Sequence, residues 1–378
     1  MKTILLISDR YINQNTLDKF SLVKWEEGGW KFIAIDLSYL LERKASLRQG
    51  YINQKRNNKI ILVHSYLEFY TIVKNLNHVH IYIDELNGNG ILINALRLCL
   101  AIKNIKRMVM SCGGVPEGKR KLIFRVSFVN LYLYPINKIF NLFFKPDIVV
   151  LSGDYSCLRY KNIKHKIFAH NYDYDKFLAV ENIKYKASEV VYIDQSFHNH
   201  PDDLYSRSNN TVQIKDVDNY YFSIKNFLLH FSKLLNANVL IALGPQSDDS
   251  KFFEKYFNHN QIISGKTFDL IANSKLVVGH SSTAMEIAIL FKKPIIILTA
   301  SCLENSNSGL DVEAMASALN KKPVYIESND YESDVGSWSE FDEKKYEHYI
   351  HHYIKTKNST KIKLWDIVIP AVDKVLQI

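Results

Sequence analysis

The sequence predicts an α/β protein made of two doubly wound domains that face a cleft. Three observations predict it. Short runs rich in Val and Ile alternate with longer amphipathic stretches along nearly the whole chain. Many of those runs end on polar or glycine residues, as at Ser8-Asp9, His64-Ser65, Asp84-Glu85 and Ser152-Gly153-Asp154. The alternation breaks once, at a charged stretch over residues 171–188, and then restarts. Continuous apolar strands with helices between them form parallel sheets covered on both faces. A length of 378 residues suits two such domains better than one.

In chain order, strands are expected at residues 3–7, 32–35, 60–63, 79–83, 107–110, 147–151 and 166–169. These make a first domain over 1–170, followed by a linker over 171–188. The second domain, 189–378, has expected strands at 190–193, 239–243, 276–278, 294–298 and 324–326. Helices are expected at 219–235, 251–257, 268–273, 283–291 and 311–319, with a helical tail from Glu340 broken around 357–360. In doubly wound sheets ligands sit beyond the carboxyl ends of the strands, so the polar strand tails are the places to look for function.

Composition excludes several classes. Forty-eight basic and 39 acidic residues give a net charge of +9, but no run of five or six cations appears, and a nucleic-acid binder concentrates them on one element. No nucleic acid is expected as partner. The four cysteines, Cys99, Cys112, Cys157 and Cys302, form no CxxC pair, which argues against zinc and against a disulfide framework. A reducing cytoplasm fits. The N-terminal apolar stretch is too short for a signal peptide and reads as a first buried strand. One segment stands apart. Lys119-Arg120-Lys121 precedes an apolar and aromatic run over 122–144, closed by Lys145. It reads either as a core helix pair broken near Pro135 or as a surface resting in a membrane interface.

The sharpest local signal runs from Leu276 to Pro294. A buried strand passes through Gly279 into a helix that opens on His280, Ser281, Ser282 and Thr283, with Glu286 one turn in. Free N–H groups and hydroxyls at a helix start favour a phosphate or pyrophosphate, and Glu286 is placed to hold a ribose diol. The same letters also spell a capping box, Thr283 to Glu286. Lys266 and Thr267 open another helix after Gly265. Asp194 ends the strand at 190–193, with His198 and His200 beyond it; two His with Asp202 lack a third spaced ligand, and no metal is expected. In the first domain, Asp84 and Glu85 are adjacent carboxylates at a strand end, and Asp9 lies at another. Paired carboxylates raise one another's pKa, which suits a base near neutrality, while Asp84 alone also reads as a helix cap.

The stretch 276–294 resembles the donor-binding element of GT-B glycosyltransferases, whose two Rossmann-like domains face a cleft. More narrowly, residues 190–298 resemble bacterial surface-polysaccharide transferases of the sialyl, Kdo and nonulosonate type. The matching pieces are Val191-Tyr192-Ile193-Asp194-Gln195, His200-Pro201-Asp202, Ile263-Ser264-Gly265-Lys266-Thr267 and His280-Ser281-Ser282-Thr283. The resemblance implies that Ser281, Ser282 and Thr283 hold the donor phosphate and Glu286 the ribose. It also implies that an N-domain carboxylate, Asp84 or Glu85, deprotonates the acceptor. Where those families place a His-Pro pair after the next strand, this chain has Gly244-Pro245-Gln246.

The expected function is an inverting, metal-independent transfer of a sugar from a nucleotide-activated donor to a surface-glycan acceptor. A CMP-nonulosonate or CMP-Kdo donor comes first and a UDP-sugar second; the acceptor is a glycan or lipid-linked saccharide. No cofactor is expected beyond the donor substrate, and the place is the cytoplasm, at the inner face of the membrane. The alternatives are a UDP-sugar 2-epimerase of the same architecture and a non-catalytic partner that binds glycan or nucleotide.

Overall fold

The computed structural model describes residues 2–41, 58–76, 78–88, 90–118, 144–181, 183, 185, 187–198, 214–244, 250–328, 330–331, 333 and 339–377. Most of the apolar segment 119–145, His200-Pro201-Asp202 and Pro245-Gln246 lie outside the described residues. The chain divides into two compact units. The first comprises the described residues within 1–112, 122–172 and 356–378, the second those within 113–121 and 173–355.

The first unit is a seven-stranded parallel sheet: β1 (Lys2–Ser8), β2 (Trp30–Asp36), β3 (Ile60–Leu62), β4 (Val79–Glu85), β5 (Lys106–Ser111), β6 (Ile148–Leu151) and β7 (His165–Phe168), in the order β3-β2-β1-β4-β5-β6-β7. Alternation sorts the strand side chains to two covered faces. Ile4 and Leu6 pack with Leu17 and Trp25 from the helices Gln14–Lys19 and Leu22–Glu27 and with Phe20 between them. Leu5 and Ile7 pack with Phe69 and Val73 of the helix Tyr66–Asn75 and with Leu96 and Leu100 of the helix Ile91–Ile102. Both faces are dry, so the strands read as unbroken apolar runs.

The second unit is a six-stranded sheet: β8 (Glu189–Ile193), β9 (Val239–Leu243), β10 (Ile262–Ser264), β11 (Ser274–Gly279), β12 (Ile295–Thr299) and β13 (Val324–Tyr325), in the order β10-β9-β8-β11-β12-β13. Val190 and Tyr192 face the long helix Val217–Leu235, which buries Tyr220, Tyr221, Ile224, Phe227, Leu228 and Phe231. Val191 and Ile193 face the helices Met285–Leu290 and Asn307–Ala318.

The structure departs from the sequence reading in several places, among them the expected linker over 171–188, which holds the helix Tyr172–Val180. β10 was not expected; with only Ile262 and Ile263 as its apolar core, it is too short to stand out. The C-terminal helix Leu364–Leu376, expected within 189–378, belongs to the first unit. Its residues Leu364, Trp365, Val368, Ile369 and Val372 fill the face that holds Trp25 and Trp30. The helix expected at 283–291 begins later, at Met285. Ser282 Oγ accepts from Ala284 N at 3.2 Å, and the Met285 and Glu286 amides bond to the carbonyls of Ser282 and Thr283. That tight turn replaces the capping box. No helix among the described residues is long and apolar enough to cross a membrane.

Candidate functional site

Strand order fixes where each sheet can bind a ligand. In the first unit the chain runs from β1 outward through β2 to β3, then returns to the other side of β1 with β4. The reversal opens a crevice beyond the carboxyl ends of β1 and β4. In the second unit the same reversal falls between β8 and β11. Asp9, Glu85 and Asn87 stand at the first switch point. Asp194, Gln195 and residues 280–283 stand at the second.

At the first switch point, Ser8 pairs with Asp36 on one side and Glu85 on the other. Asp36 is wholly buried and accepts from Ser38 N, Ser38 Oγ and Ile12 N, so it shapes the loops. Asp9 bridges the crevice. Its two oxygens accept from Asn87 N at 2.7 Å and Asn87 Nδ2 at 2.9 Å. Desolvation raises the Asp9 carboxyl above its ordinary value, against the lowering effect of the Asn87 bonds and Arg10.

The two paired carboxylates part company. Asp84 points inward and is saturated. Arg97 Nε and Arg107 Nε reach one of its oxygens at 2.9 and 2.5 Å, and Leu86 N donates to the other at 3.0 Å. Its oxygens are thus engaged inside the fold, where an acceptor hydroxyl would have to displace an arginine or the Leu86 amide to reach them. Glu85, its neighbour, projects the other way and is half-buried. Burial pushes its carboxyl up, with Asp84 and Asp9 adding to the rise and Lys19 and Arg10 opposing it. A raised, partly accessible carboxyl suits a general base.

At the second switch point, Asp194 is the buried anchor. Ser196 N and Oγ donate to one oxygen at 2.6 and 2.9 Å; the Tyr192 and Tyr221 hydroxyls donate to the other, each at 3.4 Å. The short loop is held with Ser196 in the left-handed region, φ 50°. Desolvation still dominates and pushes Asp194 up to about 6. His198 Nδ1 meets Tyr221 OH at 2.7 Å, and its ring stacks on Phe252 at 4.0 Å. Across the crevice, Gln195 Nε2 donates to the Ser281 carbonyl.

The hydroxyls Ser281 and Ser282 are half-buried and Thr283 is exposed, so all three stand at the opening. His280 does not join them. It is wholly buried, with Nε2 3.1 Å from Tyr220 OH and Phe197 edge-on at 5.0 Å. Desolvation lowers it to about 3, so it offers a phosphate no charge. Its Nδ1 has no hydrogen-bond partner among the described residues. Glu286 is 1% exposed and packs toward Tyr349, so a ribose would have to enter the core to meet it. Gly244 follows β9, next to β8, with nothing within 4 Å of where a Cβ would stand. Lys266 is exposed and Thr267 half-buried at the end of β10, an outer strand two places from β8 and so roughly 10 Å off. His200 lies outside the described residues. No group of three or more His, Cys, Asp or Glu among the described residues has a metal-holding geometry.

Sequence reasoning missed the tyrosines around Asp194 and the two arginines on Asp84. Arg97 did leave a signal: it is the one charge in the apolar stretch Ile91–Ile102.

No protein-family model matches the chain, and no curated protein matches it. Solved structures do. A UDP co-structure of S. aureus MnaA superposes with a TM-score of 0.54 at 11% identity, over 100% of this chain and 97% of that one. A putative UDP-N-acetylglucosamine 2-epimerase from Listeria monocytogenes gives 0.50 at 10%, over 99% and 96%. The H548A variant of the wall teichoic acid polymerase TagF gives 0.50 at 11%, over 99% and 89%. Likeness over whole chains at such low identity is likeness of fold. The chain therefore has the GT-B architecture of two parallel-sheet α/β domains, here with seven and six strands.

Proposed function

We propose that the protein is a nucleotide-sugar glycosyltransferase. The observation that carries the proposal is the set of accessible hydroxyls of Ser281, Ser282 and Thr283 at the switch point of the second unit; the first unit has, at its own switch point, a raised, half-buried Glu85. The hydroxyls and backbone amides of 281–283 bind the donor phosphate through neutral donors, with no metal. Glu85 takes the proton from the acceptor hydroxyl. The acceptor oxygen then forms its bond to the anomeric carbon as the bond from that carbon to the phosphate oxygen breaks. The nucleotide leaves and the anomeric configuration inverts. CMP-linked nonulosonates are the first donors to test, on the motif resemblance, and UDP-sugars the second. The acceptor is a surface glycan or lipid-linked saccharide.

The test is direct. Calorimetry with CMP, UDP and GDP should find one nucleotide that binds, and Ser281→Ala with Ser282→Ala should weaken it by at least about 1 kcal/mol per lost hydrogen bond. Glu85→Gln should lower transfer roughly 10²-fold or more while leaving donor affinity unchanged. Unaltered nucleotide affinity in the well-folded double variant would remove the phosphate assignment.

A second reading, UDP-sugar 2-epimerase, is supported by the likeness of fold to the putative Listeria epimerase. It requires turnover of a UDP-sugar with no acceptor present. It also requires further carboxylates around the sugar, and at the second switch point Asp194 is bound inward by four donors.

A further inference from the structure

We infer that Arg97 is the positioning residue for the carboxylate site at the first switch point, setting the register of the loop that presents Glu85 and Asn87. The inference rests on the functional reading above for what Glu85 does, but not for how it is held. Arg97 is 3% exposed, on a helix with no other charge. Its guanidinium reaches three alternate positions of the loop after β4. Nε donates to Asp84 Oδ2 at 2.9 Å, NH2 to the Leu86 carbonyl at 3.0 Å and NH1 to the Gly88 carbonyl at 3.0 Å. NH1 also meets Asn94 Oδ1 at 3.3 Å on its own helix.

The groups at 84, 86 and 88 thus turn inward to one cation. The side chains of Asp84 and Leu86 are buried, whereas Glu85 is half-buried and Asn87 exposed, so 85 and 87 lie on the outer side. They are the two residues at the site: Glu85 beside Lys19 and Arg10, and Asn87 bonded twice to Asp9. Gly88, at φ 84°, closes the loop in a conformation that side chains resist. A planar fork with five donors serves three acceptors at once, and a lysine ammonium does not reproduce that geometry. Arg107 adds a second cation to Asp84 but reaches the Phe144 carbonyl rather than the loop. Arg97 is therefore the group whose loss frees the loop while Asp84 keeps a partner.

The test uses the full chain with Arg97→Lys, read three ways. Hydrogen exchange should speed up at the Leu86 and Asn87 amides by tenfold or more, with β1 and β4 unchanged. The Glu85 carboxyl, now pushed up by burial, should titrate at lower pH once the loop is released, as followed by carboxyl NMR. In a transfer assay, turnover should fall with the donor KM unchanged. The first two readouts need no turnover, so they decide the inference even if the protein transfers no sugar. Unchanged exchange and unchanged Glu85 titration would overturn it. If Arg97→Lys does not fold, Asn87→Ala at the exposed side of the loop replaces it. The Leu86 amide should stay protected there, because Arg97 and Asp84 still hold the loop; its exposure would overturn the inference.

Discussion

Asp194 and His280 show how far burial moves a side chain from what its letter suggests. Each sits at the carboxyl end of a central strand, where a polar residue is read as facing ligand. Both are instead interior groups, raised to about 6 and lowered to about 3 by desolvation. Their effects on stability oppose each other. The folded carboxyl of Asp194 titrates above its unfolded value of 3.8, so the stability it adds is full below 3.8 and is lost as pH rises through about 6. His280 titrates below its unfolded value of 6.5, so its contribution is full above 6.5 and is lost as pH falls through about 3. Between pH 4 and 6, roughly, acidification strengthens one term and weakens the other. Asp194→Asn removes the first alone. The stability of wild type relative to that variant should therefore grow as pH falls from 7 to 4, by up to about 3 kcal/mol. Denaturant midpoints at five pH values would measure it; a constant difference would mean that Asp194 is not shifted by burial. The adjacent acids make the same point. Asp84 and Glu85 are equivalent in sequence, yet one is a clamp and the other a candidate base. Asp84→Asn should destabilise the fold, since one partner of a buried ion pair is worth about 3–5 kcal/mol when removed alone. Glu85→Gln should leave the melting temperature near that of wild type.

Elements were legible where periodicity is local, and less so where packing decides. Every expected strand lies on an observed one, because parallel strands covered on both faces carry continuous Val and Ile runs. β10 escaped because two isoleucines are no run. The helix after β11 was legible as a helix, but its start was not: the Ser282 hydroxyl closes a turn onto the Ala284 amide, and the helix begins only at Met285. Gly279, between that strand and that turn, has a specific reason to be glycine. A Cβ there would lie 3.0 Å from Met285 Cε and 3.3 Å from the Ile193 carbonyl oxygen. The methionine tip can yield, whereas the neighbouring strand's carbonyl cannot move without pushing β8 from β11. Gly279→Ala is expected to widen the second switch point, lowering nucleotide affinity by more than it lowers the melting temperature. Parallel measurement of both decides it, and loss of stability with affinity intact would place the strain elsewhere.

At the scale of the molecule, the chain's last helix carries information that no local pattern held. Its apolar face was visible in the letters, but an apolar stripe does not say which sheet it covers. Residues 364–376 pack on the first sheet, where Trp365 lies 5.8 Å from Trp25, itself 5.4 Å from Trp30. Lys2 and Trp30 Nε1 both bond to Asp373, tying the first strands to the last helix. The first unit is thus closed by residues from both ends of the chain. Its core is incomplete without residues 356–378, whereas the second unit is continuous from 173 to 355 apart from a short piece at 113–121. Removing residues 356–378 should therefore unfold the first unit and spare the second. Three of the four tryptophans belong to the first core or the removed helix, so tryptophan emission reports on that unit. The truncated chain should emit to the red at room temperature, as Trp25 and Trp30 meet water. Its circular dichroism should still show one cooperative transition from the second sheet. Trp365→Ala in the full chain gives a graded version, with a loss of about 3–5 kcal/mol for a buried tryptophan, confined to the transition seen by fluorescence. A truncated chain that keeps blue-shifted emission and full melting would mean that the helix is an accessory, and that the first sheet is stable without its C-terminal cover.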